Sequence, residues 1–407
     1  MPTVAQSVDL LSSKSFADGH PLEQYRWLRE NAPVYWHEEP DGPGFWAVTS
    51  HELVREAAKQ PEVFSSAAGG IMINDFPPEE LEFFRTMILV MDPPKHSFYR
   101  RLVGGLFTPK RAEKWRDSIG DTVRSILDEV CQQGECDLVE DIAGKLPSYV
   151  IAELLGIPRA DGSRLYELTE TMHSAPDTVS DEQRFGAMRE ITGFAAEVRA
   201  RKLAEQSDDL ASRLAVAEVD GRRLDEQEFA SFFLLLVNAG GDTTRNLIGG
   251  ATVSLLRRPE LLERLRTDTE GLMPTAVEEL LRFQSPVIYM RRTAVRDTTL
   301  GDTKIAAGDK MALYFGAANG DRDKFDRADE LVLDRSPNDH MAFGGGGPHF
   351  CLGSNFGRIE ISEMMGQLLT RLGDLELTGE PTWLASNFIS GPTHVPVRFT
   401  PTKPIGH

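Results

Sequence analysis

A long apolar stretch, Asp225 to Arg257, constrains the fold more than any other part of this chain. It opens with L-D-E-Q-E, in which an aspartate is followed three residues later by a glutamate, the spacing of a helix capping box. Apolar side chains then occur on nearly all sides, which predicts a buried helix. At a rise of about 1.5 Å per residue this helix would be about 50 Å long, so the rest of the chain must pack around it.

The middle of this predicted helix is unusual for a buried helix. It has the sequence N-A-G-G-D-T-T-R-N at residues 238–246, and each glycine costs on the order of 1 kcal/mol relative to alanine. Asp242 and Thr243 add polar groups that are costly to bury unsatisfied. Local exceptions of this kind mark functional sites, so we expect a groove for a ligand beside the glycines, next to the acid and the hydroxyl. The alternative is a kinked core helix with water-bound polar groups.

A second unusual stretch is F-G-G-G-G-P-H-F-C-L-G, from Phe343 to Gly353. A run of glycines permits backbone conformations and close approaches that side chains would block. Cys351 at its end can therefore approach a flat, bulky partner, and a single axial thiolate is one of the ways in which proteins hold haem iron. The alternative is a flexible linker that carries a buried cysteine.

Two shorter patterns place charges on helix faces. His96 and Arg100 lie four residues apart, so they share one face of a predicted helix and suit a buried anion such as a carboxylate. A solvated charged face is the alternative. Glu279 and Arg282, in E-E-L-L-R, lie three residues apart and can pair, although this spacing alone also occurs on surface helices.

Composition limits the class of protein. The 407 residues are 41% hydrophobic and 26% charged, as in a globular protein. The net charge of −19 argues against a general affinity for nucleic acid or anionic membranes. The sparse cysteines suit a reducing compartment, and the N-terminus has neither a membrane span nor a secretory signal. We expect a cytoplasmic protein without a membrane anchor, in which Cys131 and Cys136 are structural.

The remaining patterns predict a mainly α chain with small β-sheets, an α+β class. Helices are predicted at residues 21–31, 51–58, 119–132, 138–155, 160–173, 181–204, 273–283 and 353–372. A hairpin is predicted around the turn D-G-P-G, with further strands at 286–315 and in the last thirty residues. We expect one domain, 1–407, whose β-rich region is mostly N-terminal and whose helical bulk, with the site, spans 90–407.

Two segments have weaker patterns. Residues 65–88 are apolar without a clear period, which is typical of a lid or pocket wall but also of a buried connector. Residues 172–180, between two predicted helices, would form a flexible access lid.

Taken in order, these motifs resemble those of the cytochrome P-450 family of haem-thiolate monooxygenases over essentially the whole chain. The matched positions are Phe343, Gly347, His349, Cys351 and Gly353 in the haem-binding loop, Ala239, Gly240, Asp242 and Thr243 in the A-G-x-D-T segment, and Glu279 and Arg282 in the ExxR helix, with Arg335 as the expected third member of its charge network. The resemblance implies the cytochrome P-450 fold, with the long central helix over the haem.

The loop departs from the usual family pattern in one respect. Phe343 stands eight residues before Cys351, with one glycine more than the family usually has. Some bacterial members that act on steroid side chains and methyl-branched lipids are similar, and many of those also carry T-R-N after the acid–threonine pair, as Thr244, Arg245 and Asn246 do here. The resemblance therefore favours a steroid, terpenoid or branched-lipid substrate.

The resemblance also implies roles for individual residues. Cys351 would be the axial iron ligand of a haem b, whose thiolate favours O–O cleavage, and Asp242 with Thr243 would deliver protons. The cofactor would contact Phe343, Gly353 and Ala239, and its propionates would bind His96, Arg100, Arg292 and His349. The apolar substrate pocket would be lined by residues 65–90 and by Leu235, Asn238, Val287, Ile288 and Phe388.

No flavin, nicotinamide or ferredoxin-type motif occurs in the sequence. A monooxygenase of this kind would take electrons from NAD(P)H through a separate ferredoxin and ferredoxin reductase, and we expect it to be a monomer. Candidate partner contacts are Lys110, Arg111, Lys114 and Arg358; the cluster at 110–116 is otherwise a solvated face. The alternatives are a peroxide-driven peroxygenase, which does not need Asp242 and Thr243, a non-enzymatic haem-binding sensor, and a helical protein without a cofactor.

Overall fold

Helices dominate the part of the chain that the computed structural model describes, residues 8–40, 42–173, 179–205 and 207–406. They are α1 (Leu22–Asn31), α2 (His51–Ala58), α3 (Pro78–Phe84), α4 (Lys95–Gly104), α5 (Pro109–Glu113), α6 (Arg116–Val130), α7 (Lys145–Leu155), α8 (Arg159–His173), α9 (Asp181–Glu205), α10 (Leu210–Val216), α11 (Glu226–Leu256), α12 (Pro259–Thr267), α13 (Thr269–Gln284), α14 (Phe315–Asn319) and α15 (Ser354–Arg371). None of these helices combines the length and apolar character needed to span a bilayer.

The strands are short. They are β1 (Val34–His37), β2 (Phe45–Val48), β3 (Phe64–Ser65), β4 (Glu135–Asp137), β5 (Glu218–Val219), β6 (Arg222–Arg223), β7 (Tyr289–Ala294), β8 (Thr298–Leu300), β9 (Thr303–Ile305), β10 (Lys310–Tyr314), β11 (Gly373–Leu377), β12 (Thr382–Trp383), β13 (Pro392–His394) and β14 (Pro396–Thr400). The largest described sheet has the order β1-β2-β10-β7-β3. Its centre therefore comes from residues 289–314, whereas we expected the β-rich region mostly at the N-terminus.

The long helix α11 confirms the sequence prediction almost to the residue. Asp225 is its N-cap, with the Asp225 side chain accepting from the Glu228 amide at 2.8 Å and the Glu228 side chain accepting from the Asp225 amide at 3.0 Å. Phe229, Phe232 and Phe233 are buried in the largest apolar cluster together with residues of α6, α7 and α15. The helix is therefore the axis on which the helical layers pack.

Two predicted helices differ from the observed ones. The predicted 138–155 helix is split, because a π-helical segment, Val139–Ala143, precedes α7 and Gly144 lies at the junction. A side chain at Gly144 would come within 3.1 Å of the Val139 carbonyl oxygen. The helix predicted at 273–283 begins earlier, at Thr269, because the Asp268 side chain caps it by accepting from the Gly271 amide at 3.1 Å.

A buried ionic network fixes the chain that leads to the cysteine loop. Arg282 donates to both carboxylate oxygens of Glu279 at 2.8 Å, and Arg335 donates to Glu279 at 2.9 Å. Arg282 also donates to three carbonyl oxygens, those of Asn319, Ala328 and Glu330, at 2.7–2.8 Å. The expected third member of the network, Arg335, is thus confirmed. The network ties α13 to the segment 319–335.

Replacing Arg282 by alanine should destabilise the fold by about 3–5 kcal/mol, because it leaves the fully buried Glu279 carboxylate without its main partner. The measurement is the free energy of unfolding in urea, together with soluble yield. Arg264→Ala is the matched control, since Arg264 forms an exposed pair with Asp334 at 2.7 Å and such pairs contribute about 0–1 kcal/mol. Similar losses in the two variants would contradict a stabilising role for the network.

Candidate cofactor site

The cysteine loop leads directly into α15 and presents Cys351 at the N-terminus of that helix. The Cys351 amide donates to the Phe343 carbonyl oxygen at 2.9 Å, which closes the loop, and Gly353 is the N-cap of α15. The amides of Gly353 and Ser354 donate to the Cys351 sulfur. Amides at this position have no partner within the helix and the helix dipole favours an anion there. The loop therefore offers a place for a thiolate.

The environment of Cys351 determines how readily its thiol loses a proton. Burial raises the pKa of the Cys351 thiol, and the two amide hydrogen bonds and the charges of Arg100 and Arg358 offset this only in part. The residue as a whole is nevertheless exposed. Because a coordinated metal deprotonates a thiol outright, the raised pKa is compatible with a metal ligand.

The glycines of the loop allow it to lie directly on α2. A side chain at Gly345 would come within 2.9 Å of the Ala58 Cβ atom, and one at Gly347 would overlap the Ala58 carbonyl oxygen. Gly347 also has a φ of +74°, in the left-handed region that favours glycine. The run is thus a closely packed turn, which excludes the alternative of a flexible linker.

Phe343 is held against this loop by charged and aromatic neighbours. The Arg358 guanidinium lies 4.6 Å from the centre of the Phe343 ring and donates to Glu278 at 2.6 and 2.9 Å. The hydrogen bonds and charges of His340 and Arg358 outweigh the burial of Glu278 and lower the pKa of its carboxyl to about 2. Arg358 is therefore occupied within the molecule, which weakens the prediction that it contacts a redox partner.

The four predicted anion-binding residues come together beside the cysteine loop. The His96 and His349 rings are 4.3 Å apart. Arg292 is buried and donates to the Arg291 carbonyl oxygen at 2.8 Å, and the charge of Arg100 is felt by both His96 and Cys351. The structure thus assembles side chains from α4, β7 and the loop that the sequence separates by more than 250 residues.

These residues fit an anionic cofactor. Burial and mutual repulsion lower the pKa of His96 to about 4 and that of His349 to about 2, and burial lowers the pKa of Arg292 to about 10. The His96 Nδ1 atom is buried without a hydrogen-bond partner in the described chain. Asp92, the carboxylate that these groups sense, already accepts from Ser65 and from the Ser66 amide. A ligand with two carboxylates, such as haem, would supply the missing negative charge.

The central turns of α11 are more accessible than the rest of the helix. Ala239 is exposed, and Asn238, Asp242 and Thr243 are half-buried, so an open space adjoins this part of an otherwise buried helix. The Thr243 hydroxyl donates to the Ala239 carbonyl oxygen at 2.8 Å. The Oδ1 atom of Asp242 lies 3.8 Å from the Arg245 guanidinium.

The two central glycines of α11 lie near side chains of neighbouring helices. A Cβ atom at Gly241 would lie 3.4 Å from the Tyr166 ring on α8, and one at Gly240 would lie 3.9 Å from Ile151 on α7. Arg245 lies over the same Tyr166 ring, 5.7 Å from its centre, and donates to the Tyr166 hydroxyl. Both distances are ordinary van der Waals contacts, so neither neighbour requires a glycine, and the expectation that the two glycines open a groove for a ligand stays a prediction.

The predicted substrate contacts differ in accessibility. Leu235, Asn238, Val287 and Phe388 are half-buried, and the Asn238 Oδ1 atom has no hydrogen-bond partner among the described residues. Ile288, in contrast, has no exposed surface and belongs to an apolar cluster with Tyr25, Tyr289 and Tyr314. Side chains alternate along an extended chain, so Val287 and Ile288 point in opposite directions, and the prediction for Ile288 is not supported.

The two segments with weak patterns have different outcomes. Residues 65–88 contain β3, α3 and the start of a 3₁₀ turn at Ile88–Val90, joined by ordered loops. Part of the predicted access lid at 172–180 falls at residues 174–178, which lie outside the described residues.

One buried acid beside α11 was missed by the sequence reasoning. Glu360 on α15 is buried, and its Oε2 atom has no hydrogen-bond partner in the described chain. Burial raises the pKa of Glu360 to about 8, and a hydrogen bond from Thr244 offsets this only in part. A lone glutamate in an amphipathic helix carries no signal that it faces inward, so only the packing of α11 on α15 reveals it.

Comparison with known proteins agrees with this geometry. A family model described as cytochrome P-450 matches residues 10–381. The methyl-branched lipid omega-hydroxylase of Mycobacterium tuberculosis is 40% identical over 92% of this chain and 90% of its own length. The steroid C26-monooxygenase of Mycolicibacterium smegmatis is 38% identical over 98% of this chain and 97% of its own. The structure of a Mycobacterium marinum cytochrome P-450 in complex with pseudoionone is similar with a TM-score of 0.89, at 36% identity and with 96% and 98% of the two chains covered.

Gly347→Ala should distort the cysteine loop, because the new methyl group would overlap the Ala58 carbonyl oxygen of α2. Gly308→Ala is the matched control: Gly308 also has a positive φ, +93°, but open space around it, so it should lose only about 1–2 kcal/mol to backbone strain. We expect a larger loss of stability and a lower haem content for Gly347→Ala, measured by urea unfolding and by the Soret-to-protein absorbance ratio. Equal effects would contradict the close contact.

Glu360→Gln should stabilise the protein increasingly as the pH rises. Below the ordinary pKa of glutamate both the folded and the unfolded state hold the proton. Between there and about 8, unfolding releases it, so the folded protein loses roughly 1.4 kcal/mol per pH unit through this group. The difference in free energy of unfolding between variant and parent should therefore widen from pH 5 to 8. A difference that stays constant over this range would show that Glu360 ionises normally.

Proposed function

Because this chain belongs to the cytochrome P-450 family and is a monooxygenase of that family, we propose that it inserts one oxygen atom of O2 into a hydrophobic molecule, namely a steroid, a terpenoid or a methyl-branched lipid. The observation that carries the proposal is the exposed Cys351 at a helix N-terminus, beside two arginines and two histidines that have too little negative charge around them. The substrate class is supported by the apolar character of most candidate pocket residues and by the activities after which the relatives are named, on methyl-branched lipids and steroids.

Haem is the cofactor that family membership implies, and we propose haem b, bound through Cys351 to its iron and through His96, Arg100, Arg292 and His349 to its propionates. When bound, it would supply the activation of O2. The protein residues hold it in a fixed orientation, because the propionates would supply the negative charge that Arg100 and Arg292 now lack and would favour the protonated forms of His96 and His349. The amides of Gly353 and Ser354 temper the negative charge on the sulfur.

Asp242 and Thr243 are the proposed proton-delivery pair. The Thr243 hydroxyl donates its proton to the Ala239 carbonyl oxygen, so its oxygen lone pairs remain to accept from a water molecule. The Asp242 side chain is 15% exposed, which permits exchange of a proton with solvent, and Arg245 on the next turn holds the carboxylate beside the helix. Water bound to Thr243 would then receive protons by way of Asp242.

Electrons would come from NAD(P)H through a ferredoxin and its reductase. Lys110 and Lys114 are exposed, Arg111 is half-buried, and they surround α5, so an acidic ferredoxin would meet a basic patch on an otherwise acidic protein. Arg358 is less suited to this contact because Glu278 occupies it. As part of the proposal we regard the enzyme as a cytoplasmic, monomeric, single-domain protein, in keeping with its sparse cysteines.

The proposal is tested by turnover with O2, NADPH, a ferredoxin and its reductase, using steroids, terpenoids and methyl-branched fatty acids that shift the haem spectrum. In Thr243→Ala, product formed per NADPH should fall at least about tenfold, because positioned proton transfer typically contributes 10²–10⁴-fold, and hydrogen peroxide should be released. Thr252→Ala is the matched control, since Thr252 makes the same bond to the carbonyl oxygen four residues back. Coupling that is unchanged in Thr243→Ala, or turnover only with added peroxide, would favour the peroxygenase alternative.

A reduced, CO-treated sample provides an independent check of the cofactor ligand. The parent should absorb near 450 nm, and Cys351→Ala should not. No haem-dependent product under any condition would favour a haem-binding sensor.

A further inference from the structure

A short segment before α3, which we call the strap (residues 69–75), is fastened to the largest sheet by one buried arginine. The Arg291 side chain donates to the carbonyl oxygens of Met72 and Ile73 at 3.2 and 3.1 Å and to the Asp75 carboxylate at 2.7 Å. The Arg291 amide also donates to the Ile71 carbonyl oxygen at 2.8 Å. At the other end of the strap, Gly69 leaves room for the guanidinium, which a side chain there would overlap. A single residue of β7 thus contacts almost the whole strap.

A second buried cation reaches the same carboxylate. The Lys310 amine donates to Asp75 at 3.1 Å, to the Ile73 carbonyl oxygen at 3.2 Å and to Glu39 at 2.5 Å. Arg291 and Lys310 lie on the same face of the antiparallel pair β7–β10, and their side chains are only 4% and 2% exposed. Two buried positive charges on one face require counter-charges, and Asp75 is the carboxylate that both of them contact.

The strap places an apolar side chain in the core behind one predicted substrate contact. Ile73 is 1% exposed and belongs to the cluster that contains Tyr289, with Phe388 packed against it. The Tyr289 hydroxyl accepts from the Ile73 amide at 3.1 Å, and the Tyr289 and Phe388 rings meet edge to face at 5.3 Å. A strap that is out of place would therefore move the support behind Phe388, one of the predicted substrate contacts.

The chain on the far side of the strap is more weakly held. The helix α3 has no fully buried side chain, and its Leu81, with Phe76, packs on Gly70 of the strap. Beyond α3, Thr86 makes a hydroxyl contact of 2.8 Å with Ser231 of α11. The strap is thus the fixed end of a segment that runs from the sheet to the central helix.

We propose that Asp75 is a positioning residue for the substrate: by joining Arg291 and Lys310 it fastens the strap, and the strap holds Ile73 and Tyr289 as a rigid support behind Phe388, against which a bulky apolar molecule binds. This rests on the proposed function for the identity of the ligand, although the attachment of the strap does not. Burial alone would raise the pKa of the Asp75 carboxyl, but the hydrogen bonds and charges of Arg291 and Lys310 outweigh it and lower the pKa, in keeping with a carboxylate that both cations bind.

The two adjacent arginines of β7, Arg291 and Arg292, contact different parts of the protein. Alternation along a strand sends Arg291 and Arg292 to opposite faces of the sheet, opposite Ala312 and Met311 respectively. Arg292 lies with His96, Arg100 and His349 beside the cysteine loop, whereas Arg291 contacts the strap. The two contacts are therefore mechanically coupled through one short strand, but each can be altered separately.

The test uses Asp75→Asn in the haem-loaded protein, with Glu52→Gln as the matched control. Asp75 is about half-exposed, so the variant should fold, and it keeps the shape while removing the charge. Glu52 is an exposed carboxylate on α2, outside the predicted pocket lining, with no ion pair to a described residue. Two quantities are measured in each: amide hydrogen exchange of peptides covering residues 69–75, and the dissociation constant of an apolar ligand, such as a steroid or a methyl-branched fatty acid, from the spin-state shift.

In Asp75→Asn we expect exchange of the strap amides to become at least about tenfold faster and the ligand to bind three- to tenfold more weakly, with kcat at saturating substrate unchanged; Glu52→Gln should match the parent. Because Asp75 is partly exposed, about 1 M salt should bring the parent closer to the variant. Unchanged strap exchange would overturn the attachment. Faster exchange with unchanged affinity would overturn the positioning role.

The two readouts separate this inference from the proposed function. Hydrogen exchange needs neither substrate nor turnover, so it tests the attachment even if no steroid, terpenoid or lipid is oxidised. If no apolar ligand shifts the spectrum of the parent, the proposed function fails and the positioning role fails with it, whereas faster exchange in Asp75→Asn would still establish the attachment of the strap.

Discussion

One buried carboxylate, that of Glu279, holds together the part of the molecule on which the site depends. It accepts hydrogen bonds from Arg282, Arg335, Asn338 and the Val332 amide. Arg282 also donates to carbonyl oxygens of the segment 319–330. An unpaired charge at full burial would be very costly, so these segments can adopt only the arrangement that satisfies all members at once. Asn319, in turn, accepts from the Met341 amide at 2.7 Å, which carries the constraint to the start of the cysteine loop.

Around this fixed frame the molecule places positive charge on two sides of one sheet. On one side, Arg292 joins His96, Arg100 and His349 where little negative charge balances them. On the other, Arg291 and Lys310 are balanced by Asp75 and Glu39. The balanced side organises the protein itself, and the unbalanced side suits an anionic cofactor. What distinguishes the structural cluster from the candidate binding site is how far nearby carboxylates neutralise the positive charges, more than the number of those charges.

Much of this was predictable because the relevant signals are local. The capping box of α11, the hairpin β1–β2 and the glycines of the cysteine loop each express a short-range rule that the structure obeys. The burial of Ile288 and Glu360 was not predictable, since it depends on which helix or strand lies opposite: the core of the sheet encloses Ile288, and α11 packs on Glu360. Likewise, the strap has no periodicity to reveal that Arg291, more than 200 residues away, holds it.

The contact between the glycine loop and α2 has a consequence for how the protein is assembled. The loop is moulded on the backbone of Val54 and Ala58, about 290 residues earlier in the chain, and contacts of such long range form late because closing the intervening chain costs entropy. A chain emerging from the ribosome has already exposed α2 and α11 long before Cys351 is made. The sulfur therefore acquires its final surroundings only after α2 and the cysteine loop have met. The cofactor would accordingly bind late in folding and would not nucleate it.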